Sequence, residues 1–222
     1  MEIQSTLLSP ALLAAAHALA LVLLLLALWQ APWRALFSVG ARQHAFYAGV
    51  FSLCVLWAMD FHPAAGITLH YLGMTTATLL FGWALAGVAG ACALLVLALF
   101  GKLEPAVLPL TWLLTVICPA LTVTALLALL ERTRLRNLFV FLLGIGFAGA
   151  MLTTVTLAIS GVLVLALAGQ QELVDAALAH APLLLLLVFS EGFLNGAATS
   201  TLTVYWPHLV RGFNEERFLG EP

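Results

Sequence analysis

The residues able to do chemistry in this chain are few. Asp60, His62 and His70 fall close together, and the two histidines are eight residues apart. Pro63 and Gly66 lie between them and let the chain fold back on itself. Glu2 and the amine of Met1 stand at the start of the sequence. Imidazole nitrogens and carboxylate oxygens suit borderline divalent ions such as Ni, Co, Cu or Zn. Met1, Glu2, Asp60, His62 and His70 therefore form the candidate metal set, provided that the fold brings them to one membrane face. A second group is Glu191 with Asn195, at i and i+4 and so on one face of a helix. A carboxylate in an apolar run has to be paired or protonated. His17, at a similar depth in the first apolar run, is a possible partner. Structural pairing is the favoured reading of Glu191; an intramembrane enzyme using His17 and Glu191 is the rival. Thr75, Thr76, Thr78, Thr153, Thr154 and Thr156, with Thr199, Ser200, Thr201 and Thr203, read as hydroxyls that bond within or between helices. Cys54, Cys92 and Cys118 each sit in an apolar run with no Cys-x-x-Cys pair and read as small packing residues.

The elements that must position these groups follow from composition. The chain has 222 residues, 64% of them hydrophobic, and only 8 Lys+Arg and 10 Asp+Glu. Soluble domains are about 25% charged, against 8% here. A soluble globular domain, a disordered chain and a nucleic-acid binder are excluded; the formal net charge of −2 leaves no basic stripe. Continuous apolar runs such as Leu21–Leu28 exclude a β-barrel, whose strands alternate. The expected fold is all-α: a polytopic membrane helix bundle. No secretory signal is read, since residues 1–10 carry Glu2 and no basic residue. Signatures such as His-Glu-x-x-His, Gly-x-Ser-x-Gly and the Walker loop are absent from the sequence, so the chain is read as a non-enzyme with no nucleotide site.

Spans are expected at 7–29, 44–59, 67–82, 84–100, 107–130, 138–168 and 182–205, in a single transmembrane domain over 1–222. The stretch 67–100 is either one very long helix or two short ones. Gly82-Trp83 offers a break, because glycine can leave helical angles. Sidedness decides for two. With about seven segments and the N-terminus outside, Arg34, Arg42, Arg132, Arg134, Arg136, Arg211 and Arg217 all face the cytoplasm, leaving only Lys102 outside. A single span over 67–100 would put the Arg132/Arg134/Arg136 cluster opposite Arg34 and Arg42. Gly144, Gly146 and Gly149, with Ala148 and Ala150, give one helix a small-residue face for close packing. The run 138–168 is long enough to tilt or project. A short surface helix is expected within 170–181, and 206–222 is expected to be a solvated or docking cytoplasmic tail.

Placed on this topology, several short stretches resemble one family. Leu7–Ala15 (Leu-Leu-Ser-Pro-Ala-Leu-Leu-Ala-Ala), Leu69-His70-Tyr71-Leu72-Gly73 followed by a small-residue helix and the Gly82-Trp83 break, and Glu191-Gly192-Phe193-Leu194-Asn195-Gly196 occur in the order found in the substrate-capture components of cobalt/nickel energy-coupling factor transporters (the CbiM/NikM-like family). The resemblance covers most of the chain. It implies capture of a divalent transition metal, cobalt or nickel, as substrate near the outer face. The implied ligands are the N-terminal amine, which maps onto Met1, a histidine at position 2, and a third-segment histidine, which maps onto His70. The second position here is Glu2, so one imidazole is replaced by a carboxylate, and His62 is the residue we expect to substitute for it. The implied partners are a transmembrane coupling subunit and a pair of cytoplasmic ATPases, in the bacterial inner membrane. The alternative is a non-transporting structural or assembly subunit built on the same fold.

Overall fold

The computed structural model describes residues 3–59, 61–64, 67–69, 71–133, 135 and 137–219. They form a helix bundle with one small hairpin. Helix α1 spans Pro10–Gln30. Its start is set by Ser9, whose Oγ accepts from Leu12 N–H at 3.2 Å, with Pro10 in the first turn. Pro32 follows its end, and a short α2 (Trp33–Phe37) leads into α3 (Gly40–Ala58). Strands β1 (Phe61–Ala64) and β2 (Ile67–Leu69) pair antiparallel. Helix α4 is Met74–Leu99, α5 is Pro105–Arg132 and α6 is Val140–Leu167. A short α7 (Gln171–Ala179) lies between α6 and α8 (Ala181–Tyr205), and α9 (Glu215–Leu219) ends the described chain. Among the described residues five helices, α1, α4, α5, α6 and α8, are long and apolar enough to cross a membrane.

Helix α4 is not straight. Gly82 has φ 76° and ψ 163°, outside the helical region and open to glycine. In a straight helix Gly73 and Ala93 would sit about 30 Å apart. Instead both meet the middle of α3: Gly73 lies against Leu53 and Leu56, and Cys54 Sγ is 3.9 Å from Ala93 O. Phe81, beside the break, packs edge-on against Phe46 near the start of α3. The two legs, 74–81 and 83–99, thus fold back at Gly82 like a hairpin. The helix begins later than the sequence led us to expect, at Met74 and not at 67, because Ile67–Leu69 are held as a strand by Phe61–Ala64. The first leg is therefore only about 12 Å long.

Helix ends gather in two groups. Gln30, Gly82, Glu131 and Arg211 line one cavity, and Arg42 and Arg211 line another beside it. This is the basic end of the bundle. At the other end Ser5 bonds Glu104, and Gln170 bonds Leu7. The core between them is packed with small residues: Ala27, Ala86, Ala89, Ala93 and Ala120 are fully buried. Helix α5 turns π-helical over Leu113–Ile117, just before Pro119, whose ring cannot donate to the ladder. Helices α6 and α8 approach through small residues, with Gly146 against Thr199, and Gly192 and Gly196 against Phe147. Leu21, Leu25, Phe51 and Leu185 are exposed, as side chains facing lipid should be. The tail, expected to be a solvated end or a docking tail, folds onto its own bundle. Phe213 and Phe218 each lie 5.3 Å from Phe141 between ring centroids.

Candidate functional site

The candidate metal residues Met1, Glu2, Asp60 and His70 lie outside the described residues. His62 falls in β1, where only its backbone position is described. What the structure does place is the chain on either side of them. Ile3 is 4% exposed and belongs to the same apolar core as Leu53, Trp57, Leu72 and Met74, so the leading segment is folded into the bundle. Two side chains fasten it: Glu104 accepts from Ser5 N at 3.2 Å and from Ser5 Oγ at 2.5 Å, and Gln170 Nε2 donates to Leu7 O at 3.0 Å.

The stretch that follows His70 is held more tightly. Leu72 N–H donates to Glu191 Oε2 at 2.9 Å, and Gly73 N–H donates to Glu191 Oε1 at 2.8 Å. Trp57 Nε1–H, from α3, donates to Leu72 O at 3.0 Å. One turn along α8, Asn195 Oδ1 accepts from Thr76 N at 3.0 Å and from Thr76 Oγ1 at 2.8 Å. Asn195 Nδ2 closes the set on Glu191 Oε1 at 2.7 Å. Glu191 and Asn195 are 1% and 0% exposed. Gly73 makes this possible: its φ of 66° turns successive N–H groups toward one anion, and a Cβ there would stand 2.8 Å from Leu56 Cδ1.

The leg 74–81 is thus gripped at both ends. A helix leaves its first N–H and last C=O groups without partners, and in a bilayer no water supplies them. Glu191 and Asn195 take N–H groups at the start. At the other end the tail supplies donors: Gly212 N to Leu79 O at 2.8 Å, Arg211 N to Leu80 O at 3.4 Å, and Arg211 Nη1 to Phe81 O at 3.4 Å. A helix too short to span is fixed in the membrane by α8 and its continuation.

His17 is not the partner of Glu191. It is exposed on α1 and its Nδ1 lies 2.7 Å from Leu13 O of its own helix, while both Glu191 oxygens are engaged by α4 and Asn195. The two are not brought together as an acid–base pair, which removes the support for the intramembrane-enzyme reading. Several hydroxyls bond as expected, with Thr75 and Thr153 meeting across helices at 3.3 Å and Thr122 and Thr156 at 3.4 Å, but the buried Thr203 Oγ1 has no partner among the described residues. The pins Trp57, Glu104 and Gln170 had not been singled out in the sequence. Only Gly73 beside Leu72 carried a local signal of a fixed turn.

At the basic end, a cavity of about 880 Å³ is lined by Thr78, Gly82, Glu131, Arg211, Glu215 and Glu216, among others. It opens beneath the far end of the clamped leg.

No curated protein sequence matches the chain. Two crystal structures share its fold: one of a truncated transition metal transporter, TM-score 0.68, 18% identical, covering 94% of this chain and 99% of that one, and one of a transition metal transporter with the same score and identity, covering 94% and 93%. The family model for the cobalt uptake substrate-specific transmembrane region, CbiM, matches residues 2–209. With nearly its whole length matched, the chain belongs to the CbiM cobalt uptake transmembrane family, as a multi-pass membrane protein with a metal-transporter fold.

Proposed function

We propose that this chain is the substrate-binding membrane subunit of an energy-coupling-factor type transporter, capturing a divalent transition metal, cobalt or nickel, for ATP-driven uptake. The site lies at the end of the bundle opposite the arginines, on the outer side of the bacterial inner membrane, with the C-terminus in the cytoplasm. Its ligands are Met1, Glu2 and His70, assisted by His62 and Asp60. The partners are a transmembrane coupling subunit and a pair of cytoplasmic ATPases, since the sequence carries no nucleotide loop of its own. The ion leaves through the cavity at the basic end.

The observation that carries this reading is the pair of fastenings around the ligand residues. Ile3–Leu8 is anchored by Glu104 and Gln170, and the backbone two residues past His70 is held by Glu191. Preorganised donors bind without an ordering cost at the moment of capture. Glu2, in place of a second imidazole, makes the donor set harder and lowers its preference for nickel over cobalt.

The test is cobalt and nickel affinity of the purified chain by titration calorimetry, with element analysis. His70→Ala should lose at least tenfold in affinity while keeping the melting temperature of the parent. Unchanged binding in that variant would end the proposal.

A further inference from the structure

Two cavities at the basic end run into each other. The first, about 340 Å³, lies between the α2–α3 corner and the segment after α8, and Arg42, His208 and Arg211 stand around it. Leu36, Leu80, Phe81 and Leu85 make its floor, and no carboxylate lines it among the described residues. Each arginine spends little of its capacity: Arg42 Nη1 reaches Ala35 O at 3.5 Å and Arg211 Nη1 reaches Phe81 O at 3.4 Å. A guanidinium has five N–H donors, so both keep several for an anion. The second cavity, about 520 Å³, is a groove between α3 and α8 over the first leg of α4. Ala45, Leu80, Phe81 and Leu209 line both cavities. Its walls include Ala48, Phe51, Val55, Leu194, Ala198 and Leu202. Ser52, Thr76 and Asn195 are its polar lining, and the last two bond each other.

The groove exists because the third pass is short. Along α3 it extends from Ala45 to Leu56, about 16 Å of helix rise. Half the hydrocarbon core of a bilayer is about 15 Å. A basic mouth at the membrane surface and an apolar channel one leaflet deep together match one molecule class. We propose that the two cavities form a single binding site for an anionic phospholipid. Its phosphate sits among Arg42, His208 and Arg211, and one acyl chain lies in the groove between α3 and α8. Basic pockets between helices recognise such headgroups by the same charge complementarity. A partner's transmembrane helix would leave Arg42, His208 and Arg211 at the mouth without an anion. A lipid here would wedge against the leg of α4 and against Leu209 and Arg211 of the tail that grips it.

Native mass spectrometry of the detergent-solubilised chain, titrated with dioleoyl-phosphatidylglycerol or dioleoyl-phosphatidylcholine, tests this. Phosphatidylglycerol should stay bound at concentrations about tenfold below those needed for phosphatidylcholine, and glycerol phosphate alone should not displace it. Arg42→Gln and Arg211→Gln should each weaken retention about tenfold, the loss of one charge-assisted contact. Ala198→Leu, which fills the groove and keeps the charges, should weaken it as well. Arg42→Gln leaves the tail's grip on Phe81 intact, so its result stands even if Arg211→Gln loosens the fold. Equal retention of the two lipids, or unchanged retention in Arg42→Gln and Ala198→Leu, would overturn the site.

Discussion

Replacing Glu191 tests the clamp most directly, because the structure fixes how many donors each replacement strands. The carboxylate takes three: Leu72 N–H, Gly73 N–H and Asn195 Nδ2–H. All three sit around a side chain that is 1% exposed, so water does not replace it. Leaving a buried donor unmade costs about 1–3 kcal/mol. Glu191→Ala strands all three, for about 3–9 kcal/mol if the costs add, and partial repacking puts the outcome toward the lower figure. Glu191→Gln keeps one acceptor oxygen. Placed at the Oε1 position, it still serves Gly73 and Asn195, and its NH2 faces Leu72 N–H. Leu72 N–H and the introduced NH2 are then both without an acceptor, for about 2–6 kcal/mol at about 1–3 kcal/mol each. The variants therefore rank wild type, then Gln, then Ala. Denaturant unfolding in micelles gives the ranking, and amide hydrogen exchange locates it. Leu72 should lose protection in both variants, whereas Gly73, and Thr76 held by Asn195, should lose it mainly in Glu191→Ala. A Glu191→Gln protein within 0.5 kcal/mol of the parent, with Leu72 still protected, would refute the reasoning. Cobalt affinity should follow the same order if the clamp positions His70.

Three further outcomes follow from the same geometry. Gly73→Ala forces a Cβ into a φ of 66° and against Leu56 Cδ1, so it should cost about 1–2 kcal/mol and lower cobalt affinity, read by thermal melting and calorimetry. Glu104→Ala releases Ser5 from an exposed contact; the melting point should hardly move, but proteases should cut the leading segment faster and metal should dissociate faster. Metal binding needs neutral imidazole, so below the ordinary histidine pKa of about 6.5 protons compete. Apparent affinity should then drop about tenfold per pH unit for each histidine ligand, on top of a tenfold-per-unit fall that the Met1 amine imposes below its ordinary pKa of about 7.7–8.0, and level off only above about pH 8.5; a flat profile down to pH 5 would exclude imidazole ligation.

The parts of this fold that were legible in sequence are those with a repeating physical signal. Long apolar runs marked the helices, and Pro10, Pro105 and Pro182 stand in first turns where the missing N–H costs nothing. Gly82 marked the reversal because one residue there must leave the helical region. The hairpin at Phe61–Leu69 was half missed. Ile67-Thr68-Leu69 is as apolar as the helix after it, and hydropathy does not distinguish a paired strand from the start of a span. The tail left two readings open for a related reason: its charges Glu215 and Glu216 spoke for solvent, while Phe213 and Phe218 on either side of them spoke for docking and make its buried contacts.

Glu191 shows the deeper limit. Sequence identifies a buried carboxylate that needs a partner, and a titratable side chain such as His17 is the partner it can name. The actual partners are backbone N–H groups of Leu72 and Gly73, which every residue but proline carries. They become available only because the first leg of α4 stops half-way through the bundle and leaves its N–H groups bare. A full-length span would have satisfied them internally, and Glu191 would then have been an unpaired charge in lipid. The short leg and the carboxylate explain each other: each alone would be a costly defect in a membrane, and together they hold the backbone just past His70 in place.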